Sequence, residues 1–282
     1  MPELPEVEIT ARRLSAALAG AEIESVLTPG MVAVKSVTPP ITGLVGARFE
    51  AARRIGKMFV LDLSGEHSLL VHLMSAGRLQ AFEKRASLKD RRSRILIRLA
   101  DGRELRLREF GTKQRAWAKL MTTSEIESDE MVATLGPEAW PAPPPAELAK
   151  AITQPRHLHP MLRDQRTISG IGRSWVDEIL WEAKLAPFKK GKDLDADEVE
   201  RLHGGLAVLG SAIDEYERLI GEQVPDKLPM PLKVHRREGE PCPRCGTTIE
   251  AVYFAEHQTN YCPQCQTGGR VLADRRLSRL LK

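Results

Sequence analysis

Two cysteine pairs, Cys242-Pro-Arg-Cys245 and Cys262-Pro-Gln-Cys265, constrain this chain more than any other stretch. Sixteen residues separate them. C-x2-C-x16-C-x2-C is the spacing of a structural zinc ribbon, in which four thiolates surround one metal ion. The same pairs could be redox-active, but two pairs in one cytosolic chain favour zinc. The segment is too small to bury a core of its own, so the metal supplies its folding energy. His257 lies between the pairs, where a fifth ligand is unnecessary, and reads as a surface or nucleic-acid-contacting residue. A zinc ribbon by itself leaves the function open.

The other end of the chain carries the chemistry. It begins Met1-Pro2-Glu3-Leu4-Pro5-Glu6. Removal of Met1, which the small Pro2 permits, turns the Pro2 nitrogen into a free secondary amine. Such an amine can attack an electrophilic carbon and form an iminium. Glu3 places a carboxyl for acid/base work beside it. A plain helix start, with Pro and Glu in the first turn, is the other reading, and it explains Pro5 and Glu6 better than Pro2.

Between these ends the texture changes twice. Val7, Leu14 and Leu18 recur at helical spacing and Gly20 is a fitting stop, predicting a helix over 5–18. Short apolar runs follow at 58–63, 68–73, 95–99 and 104–107. Asp101-Gly102 is a hairpin signal between the last two. These runs predict an antiparallel sandwich or barrel. Trp140-Pro-Ala-Pro-Pro-Pro145 reads as a stiff linker. Beyond it, helices are predicted over 146–153, 172–186 and 195–220, the last capped by Asp195 with Glu198 three residues on. Gly170-Ile-Gly172 opens a helix and could approach a phosphate, but it lacks the third glycine and the preceding strand of a dinucleotide fingerprint.

The chain has 282 residues, enough for two or three domains, and a formal net charge of only +4. Basic residues cluster at 91–94, 103–108, 189–192 and 275–276, where they face phosphates or simply water. No apolar run reaches membrane-spanning length and no signal peptide precedes the first helix. A cytoplasmic protein, nucleoid-associated if bacterial, is the expectation.

The stretch Pro2-Glu-Leu-Pro-Glu-Val-Glu8, the run Ile168-Ser-Gly-Ile-Gly-Arg-Ser-Trp-Val-Asp-Glu-Ile-Leu180 and the cysteine pairs together resemble the formamidopyrimidine-DNA glycosylase and endonuclease VIII family. The resemblance implies an α+β multidomain protein. Residues 1–134 would form an N-terminal catalytic antiparallel β-sandwich with its leading helix, and 135–146 a Pro-rich linker. Residues 147–232 would form a helix–two-turns–helix DNA-binding domain, and 233–282 a zinc finger and tail. It implies a base-excision DNA glycosylase with AP-lyase activity on oxidised or ring-opened bases, acting as a monomer on damaged double- or single-stranded DNA. One structural zinc and no redox cofactor are implied. Pro2 would be the nucleophile, Glu3 the acid/base, Glu6 the stabiliser of the charged intermediate, and Lys57 the cation near a lesion-flanking phosphate. Phe110, Gly172, Arg173 and His257 would touch DNA.

The sequence also departs from that pattern. Arg173 replaces an asparagine and His257 the finger's arginine. Ser75, in His72-Leu-Met-Ser75, stands where a void-filling methionine is expected. Glu109, in Arg108-Glu-Phe-Gly111, stands where an inserted arginine is expected and would be repelled by phosphates. The damaged-purine loop is absent. A non-catalytic damaged-DNA-binding or architectural protein on the same fold is therefore kept as the alternative.

Overall fold

The computed structural model describes residues 2–254 and 257–272. The chain divides into two compact units. One comprises Met1–Thr134 and Ile213–Pro229, the other Leu135–Ala212 and Met230–Lys282.

The first unit opens with helix α1 (Leu4–Leu18). Val7, Ala11, Leu14 and Leu18 fall on one face at intervals of three and four and are buried in the main core, as an amphipathic helix requires. The chain leaves the helix through Gly20 at φ +73°. Eight strands follow: β1 (Ile23–Leu27), β2 (Phe49–Ile55), β3 (Met58–Leu63), β4 (His67–His72), β5 (Gly77–Phe82), β6 (Ser93–Leu99), β7 (Glu104–Glu109) and β8 (Trp117–Thr122). They form two four-stranded antiparallel sheets, ordered β1-β6-β7-β5 and β2-β3-β4-β8. Phe59, Leu61, Leu69 and Val71 of one sheet and Leu79, Ile95, Ile97, Leu105 and Leu107 of the other share one buried cluster. The architecture is a β-sandwich.

Period-two alternation explains where the basic residues of this sheet go. Ile95, Ile97 and Leu107 point inward, so Arg98 and Arg106 take the opposite face. There they meet Glu104, whose carboxylate is fully buried between Arg98 Nε at 3.3 Å and Arg106 Nε at 2.6 Å and also accepts the Ala86 N–H at 2.9 Å. Arg103 is held by Asp101, and Arg108 by Asp226 at 2.8 Å. Much of the 103–108 basic run is thus committed to acidic partners inside the unit. Asp101-Gly102 turns the β6–β7 hairpin, with Gly102 at φ +94°.

In the second unit a short helix, α3 (Pro145–Ile152), precedes α4 (Leu158–Leu162) and α5 (Arg173–Glu182); helix α2 (Glu130–Ala133) belongs to the first unit. The predicted 172–186 helix ends at Glu182 because Lys184 turns left-handed at φ +55°. The single helix predicted over 195–220 is two, α6 (Ala196–Gly205) and α7 (Ala207–Leu219). Gly204-Gly205 weakens the helix there. A Cβ on Gly205 would sit 2.9 Å from the Ile179 carbonyl oxygen, so glycine permits the close pass of α5. Asp195 caps α6 as expected, accepting the Glu198 N–H at 2.8 Å while Glu198 reaches back to the Asp195 N–H. Residues 136–140 are pinned to the 165–169 turn by Gly136 N–H to the Gln165 carbonyl and Ala139 N–H to the Ser169 carbonyl.

The chain then reaches a hairpin of β9 (Glu250–Phe254) and β10 (His257–Tyr261), closed by α8 (Pro263–Thr267). Glu178 of α5 accepts the N–H groups of Lys233, Val234 and His235, each at 2.9 Å, and so fixes the lead-in to this hairpin.

Replacing Glu104 with Ala strands two guanidiniums and an amide. It should cost about 3–5 kcal/mol and lower the urea midpoint of the first unit accordingly. An unchanged midpoint would show that Arg98 and Arg106 find water instead.

Candidate active site and zinc centre

Glu3 is the N-cap of α1 and closes a capping box with Glu6. The Glu6 Oε2 atom accepts the Glu3 N–H at 2.8 Å. Such boxes normally stand in water. Here Glu3 is 2% exposed and Glu6 4%. Carboxylates are almost never this buried unless held by specific partners. The Glu6 Oε1 atom accepts a hydrogen bond from the Tyr216 hydroxyl at 2.7 Å. Burial and the neighbouring Glu6 charge push the Tyr216 phenol far above its ordinary value, so it remains a donor. Pro2 is half-buried just ahead of this pair.

Lys57 sits in the turn of the β2–β3 hairpin. Ile55 pairs with Met58, so Gly56 and Lys57 are the two loop residues, and Gly56 takes φ +56°. A Gly-X turn of this kind suits the twist of the flanking strands. Arg54 anchors the turn: it donates to the Gly56 carbonyl at 3.0 Å and to Glu8 of α1 at 3.1 Å. The hairpin tip is thereby tied to the helix that bears Glu3 and Glu6. Lys57 is 8% exposed, not the solvated strand end its sequence context would ordinarily give.

The β4–β5 connection closes this region. His72 Nδ1 accepts the Met74 N–H at 2.9 Å, and its ring stacks on Trp117. Burial, and then the Lys57 charge, lower its pKa from 6.5 to about 4. Met74 is left-handed at φ +49°, Ser75 is exposed, and Arg78 follows on β5. Burial lowers the Arg78 pKa, opposed by Asp226 and by Glu6. Arg78 therefore lies in the field of the same carboxylate that Tyr216 holds.

Glu109 corrects an expectation. It does not face the surroundings as an arginine inserted into a duplex would. It is buried at the end of β7, where Oε1 accepts the Arg115 and Ala116 N–H groups at 2.7 and 2.8 Å. It cinches the 110–116 loop, and repulsion from phosphates is not its role. Phe110 is 38% exposed beside it. The guanidinium carbons of Arg92 and Arg108 stand 4.8 and 4.9 Å from its ring centroid.

In the second unit, Gly172 is the N-cap of α5 and Arg173 its exposed first residue. The preceding turn is braced by Gln165, which accepts the Gly170 N–H and donates to the Ile171 carbonyl. His257 begins β10, and its side chain lies outside the described residues.

Cys242, Cys245, Cys262 and Cys265 converge, with all four sulfurs within 4.8 Å of one another. Cys245 lies 3.4 Å from Cys262 and 3.5 Å from Cys265, and Cys242 lies 3.9 Å from Cys265, sulfur to sulfur. Sulfurs placed tetrahedrally at about 2.3 Å from zinc lie about 3.8 Å apart, and a disulfide would need about 2.05 Å. The donor set fits one structural zinc, as the spacing implied. The Trp181 indole N–H donates to the Cys242 sulfur at 3.3 Å. Sequence reasoning missed Trp181, as it missed Tyr216, because each reads as an ordinary core aromatic on its helix.

Comparison with known proteins accounts for this arrangement. Residues 1–113 match the formamidopyrimidine-DNA glycosylase N-terminal domain, 135–221 the H2TH domain of that enzyme, and 239–268 a zinc finger found in FPG and IleRS. The chain belongs to the formamidopyrimidine-DNA glycosylase family. The formamidopyrimidine-DNA glycosylases of Roseiflexus sp. (strain RS-1) and Geobacillus kaustophilus (strain HTA426) are 33% and 34% identical, over 94% of this chain and 100% of theirs. The crystal structure of wild-type Lactococcus lactis Fpg (MutM) with DNA containing N7-benzyl-Fapy-dG superposes with a TM-score of 0.85 at 25% identity, covering 94% of this chain and all of that one. The chain is accordingly a base-excision-repair enzyme, a DNA glycosylase with AP-lyase activity. The non-catalytic alternative gains no support. No described helix is long and apolar enough to cross a membrane.

The folded His72 pKa is depressed, so the unfolded chain binds more protons between about pH 4 and 6.5. Its neutral state therefore stabilises the fold above pH 6.5, and that contribution is lost as pH falls toward 4. A loss of about 3 kcal/mol is expected across this window. In His72→Asn, whose amide oxygen can accept the Met74 N–H, urea titrations from pH 7 to 4 should show a flatter slope. An equal slope in both proteins would place the acid lability elsewhere.

Proposed function

We propose that the buried pair Glu3–Glu6 serves an N-terminal nucleophile, Pro2, once Met1 is removed. The observation that carries this reading is the burial of two carboxylates at the start of the first helix, beside the chain terminus. A helix start needs a cap, but it does not need its cap and third residue withdrawn from water. Arg78, in the field of Glu6, and Lys57, on a hairpin tied to the same helix through Arg54 and Glu8, are cations that suit a polyanionic substrate.

The reaction follows from these groups. A damaged nucleotide is extruded, because its C1′ cannot be reached in the stack. The Pro2 lone pair forms a bond to C1′ as the glycosidic bond breaks and the base leaves with that electron pair, taking up a proton. Glu3, in its acid form, donates a proton to the sugar ring oxygen. The C1′–O4′ bond then opens, the amine gives up its proton, and a protein–DNA iminium forms. The Glu6 carboxylate stabilises that cation. Glu3, now a base, takes the C2′ proton. Electrons pass to the C2′–C3′ bond and expel the 3′-phosphate, nicking the strand. Hydrolysis of the iminium regenerates the amine. No redox step occurs.

On this reading residues 1–134 carry the chemistry. Residues 147–232 and 233–282, joined through 135–146, hold a damaged duplex as a monomer. Gly172 and Arg173 approach the DNA backbone from the start of α5, His257 touches it from the finger, and Lys57 meets a lesion-flanking phosphate. Phe110, braced by the Arg92 and Arg108 guanidiniums, enters the stack. A cytoplasmic, nucleoid-associated location agrees with such a substrate.

Borohydride should convert the iminium on abasic DNA into a stable protein–DNA adduct. A blocked amino terminus, left by an uncleaved tag, should abolish it. Equal trapping of blocked and free protein would move the nucleophile to a lysine.

Lesion choice follows from Ser75, too short to fill a base-sized hole. Unstacking costs a few kcal/mol per step, and Phe110 is left as the wedge. Oxidised or ring-opened bases that stack poorly, abasic sites, and lesions in bubbles or single strands should react faster than 8-oxoguanine paired with cytosine in duplex. Single-turnover cleavage across such a panel checks this; 8-oxoguanine opposite cytosine as the fastest duplex substrate would contradict it.

A further inference from the structure

Tyr216 stands 210 residues from Glu6 in sequence, yet its hydroxyl is the donor to the Glu6 carboxylate at 2.7 Å. It is fully buried on the part of α7 that belongs to the first unit. Leu209, Ala212, Ile213 and Ile220 share its buried stripe. A phenylalanine would fill the same space without placing a polar atom in it. Burying a hydroxyl costs free energy unless it is bonded, and this one is bonded to a single carboxylate oxygen.

The other oxygen of Glu6 accepts the Glu3 N–H at 2.8 Å. That N–H belongs to the peptide that joins Pro2 to Glu3. A continuous line therefore runs from the α7 phenol through both oxygens of Glu6 to the plane of the Pro2–Glu3 peptide. A carboxylate bonded through one oxygen can still rotate. Bonded through both, it is fixed, and so is the amide it holds. The α1 helix alone cannot supply this, because its capping box uses only one oxygen of Glu6 on the backbone.

We propose that Tyr216 is a positioning residue for the N-terminal nucleophile, acting through Glu6 to fix the direction of the Pro2 nitrogen. The proposal rests on the reading of Pro2 as nucleophile. Tyr216 touches no reacting atom, so its loss should leave DNA affinity intact and slow the chemical steps. Its hydroxyl also favours the ionised form of Glu6. The acid limb of the pH–rate profile should therefore depend on how strongly residue 216 donates.

The test uses the full-length, zinc-loaded protein on abasic DNA, with borohydride trapping rate, strand-cleavage rate and DNA Kd measured side by side. Tyr216→Phe keeps the ring. Its single-turnover rate should fall on the order of 10- to 100-fold, the scale of a misplaced reacting group, with Kd unchanged and the acid limb moved to higher pH. Incorporation of 3-fluorotyrosine at 216 makes a stronger donor and should move the same limb to lower pH. The opposite shifts distinguish positioning from packing, and the second variant decides the matter if the first does not fold. Wild-type trapping with a Phe variant of equal rate and unshifted profile, or a fluorotyrosine variant with an unshifted limb, overturns this inference alone. Failure of the wild-type protein to trap, or its trapping with a blocked terminus, overturns the nucleophile reading and this one with it.

Discussion

Two carboxylates withdrawn from water at the first turn of α1 set the terms for the rest of the first unit. Within the capping box Glu3 takes the Glu6 N–H and Glu6 takes the Glu3 N–H, and Glu6 adds a donor from a distant part of the chain, the Tyr216 hydroxyl. The Tyr216 hydroxyl must be delivered by α7. Arg78 must be delivered by β5, itself held by the Asp226 carbonyl at 2.7 Å. Lys57 must be held at a hairpin tip by Arg54 and Glu8. The sandwich supplies the rigidity: α1 lies on its core through Val7, Leu14 and Leu18, so the amino terminus inherits the precision of two packed sheets. A site built on such elements holds reacting groups better than one built on free loops.

The second unit solves a different problem. Its terminal hairpin has little core, and four thiolates around zinc replace one. Helix α5 bonds to that hairpin along its length. Glu178 takes three amides of the lead-in, Asp177 accepts from the His235 imidazole and the Asn260 N–H, and Trp181 donates to Cys242. The same helix begins at Gly172 and Arg173. The residues proposed for backbone contact thus begin a helix whose other end, through Trp181, bonds to the sulfur of Cys242, so loss of the metal would be felt at the helix.

Much of this was legible in the residues. The cysteine spacing, the α1 stripe, the Asp101-Gly102 turn and the Asp195–Glu198 cap all depend on neighbours within a few positions, and local rules describe them. The α6–α7 break was only partly legible, because helical periodicity continues across Leu206 and the weak point at Gly204-Gly205 reads equally as a close pass of another helix, which Gly205 does make with α5. Glu109 was misplaced for a related reason. Its neighbours in sequence resemble the family's loop, but its burial depends on the 115–116 amides returning to meet it. Tyr216 and Trp181 were invisible in the same way, since a helical stripe shows that an aromatic is buried and not what its polar atom touches.

The account stands on the identity of the atom that bonds to the sugar. Borohydride-reduced adduct formed on abasic DNA can be digested with nuclease and protease, and the modified peptide sequenced by tandem mass spectrometry. The sugar remnant should lie on the Pro2 nitrogen, in a peptide that begins at Pro2 and lacks Met1. A remnant on Lys57, or on any other lysine, with the amino-terminal peptide unmodified would contradict it.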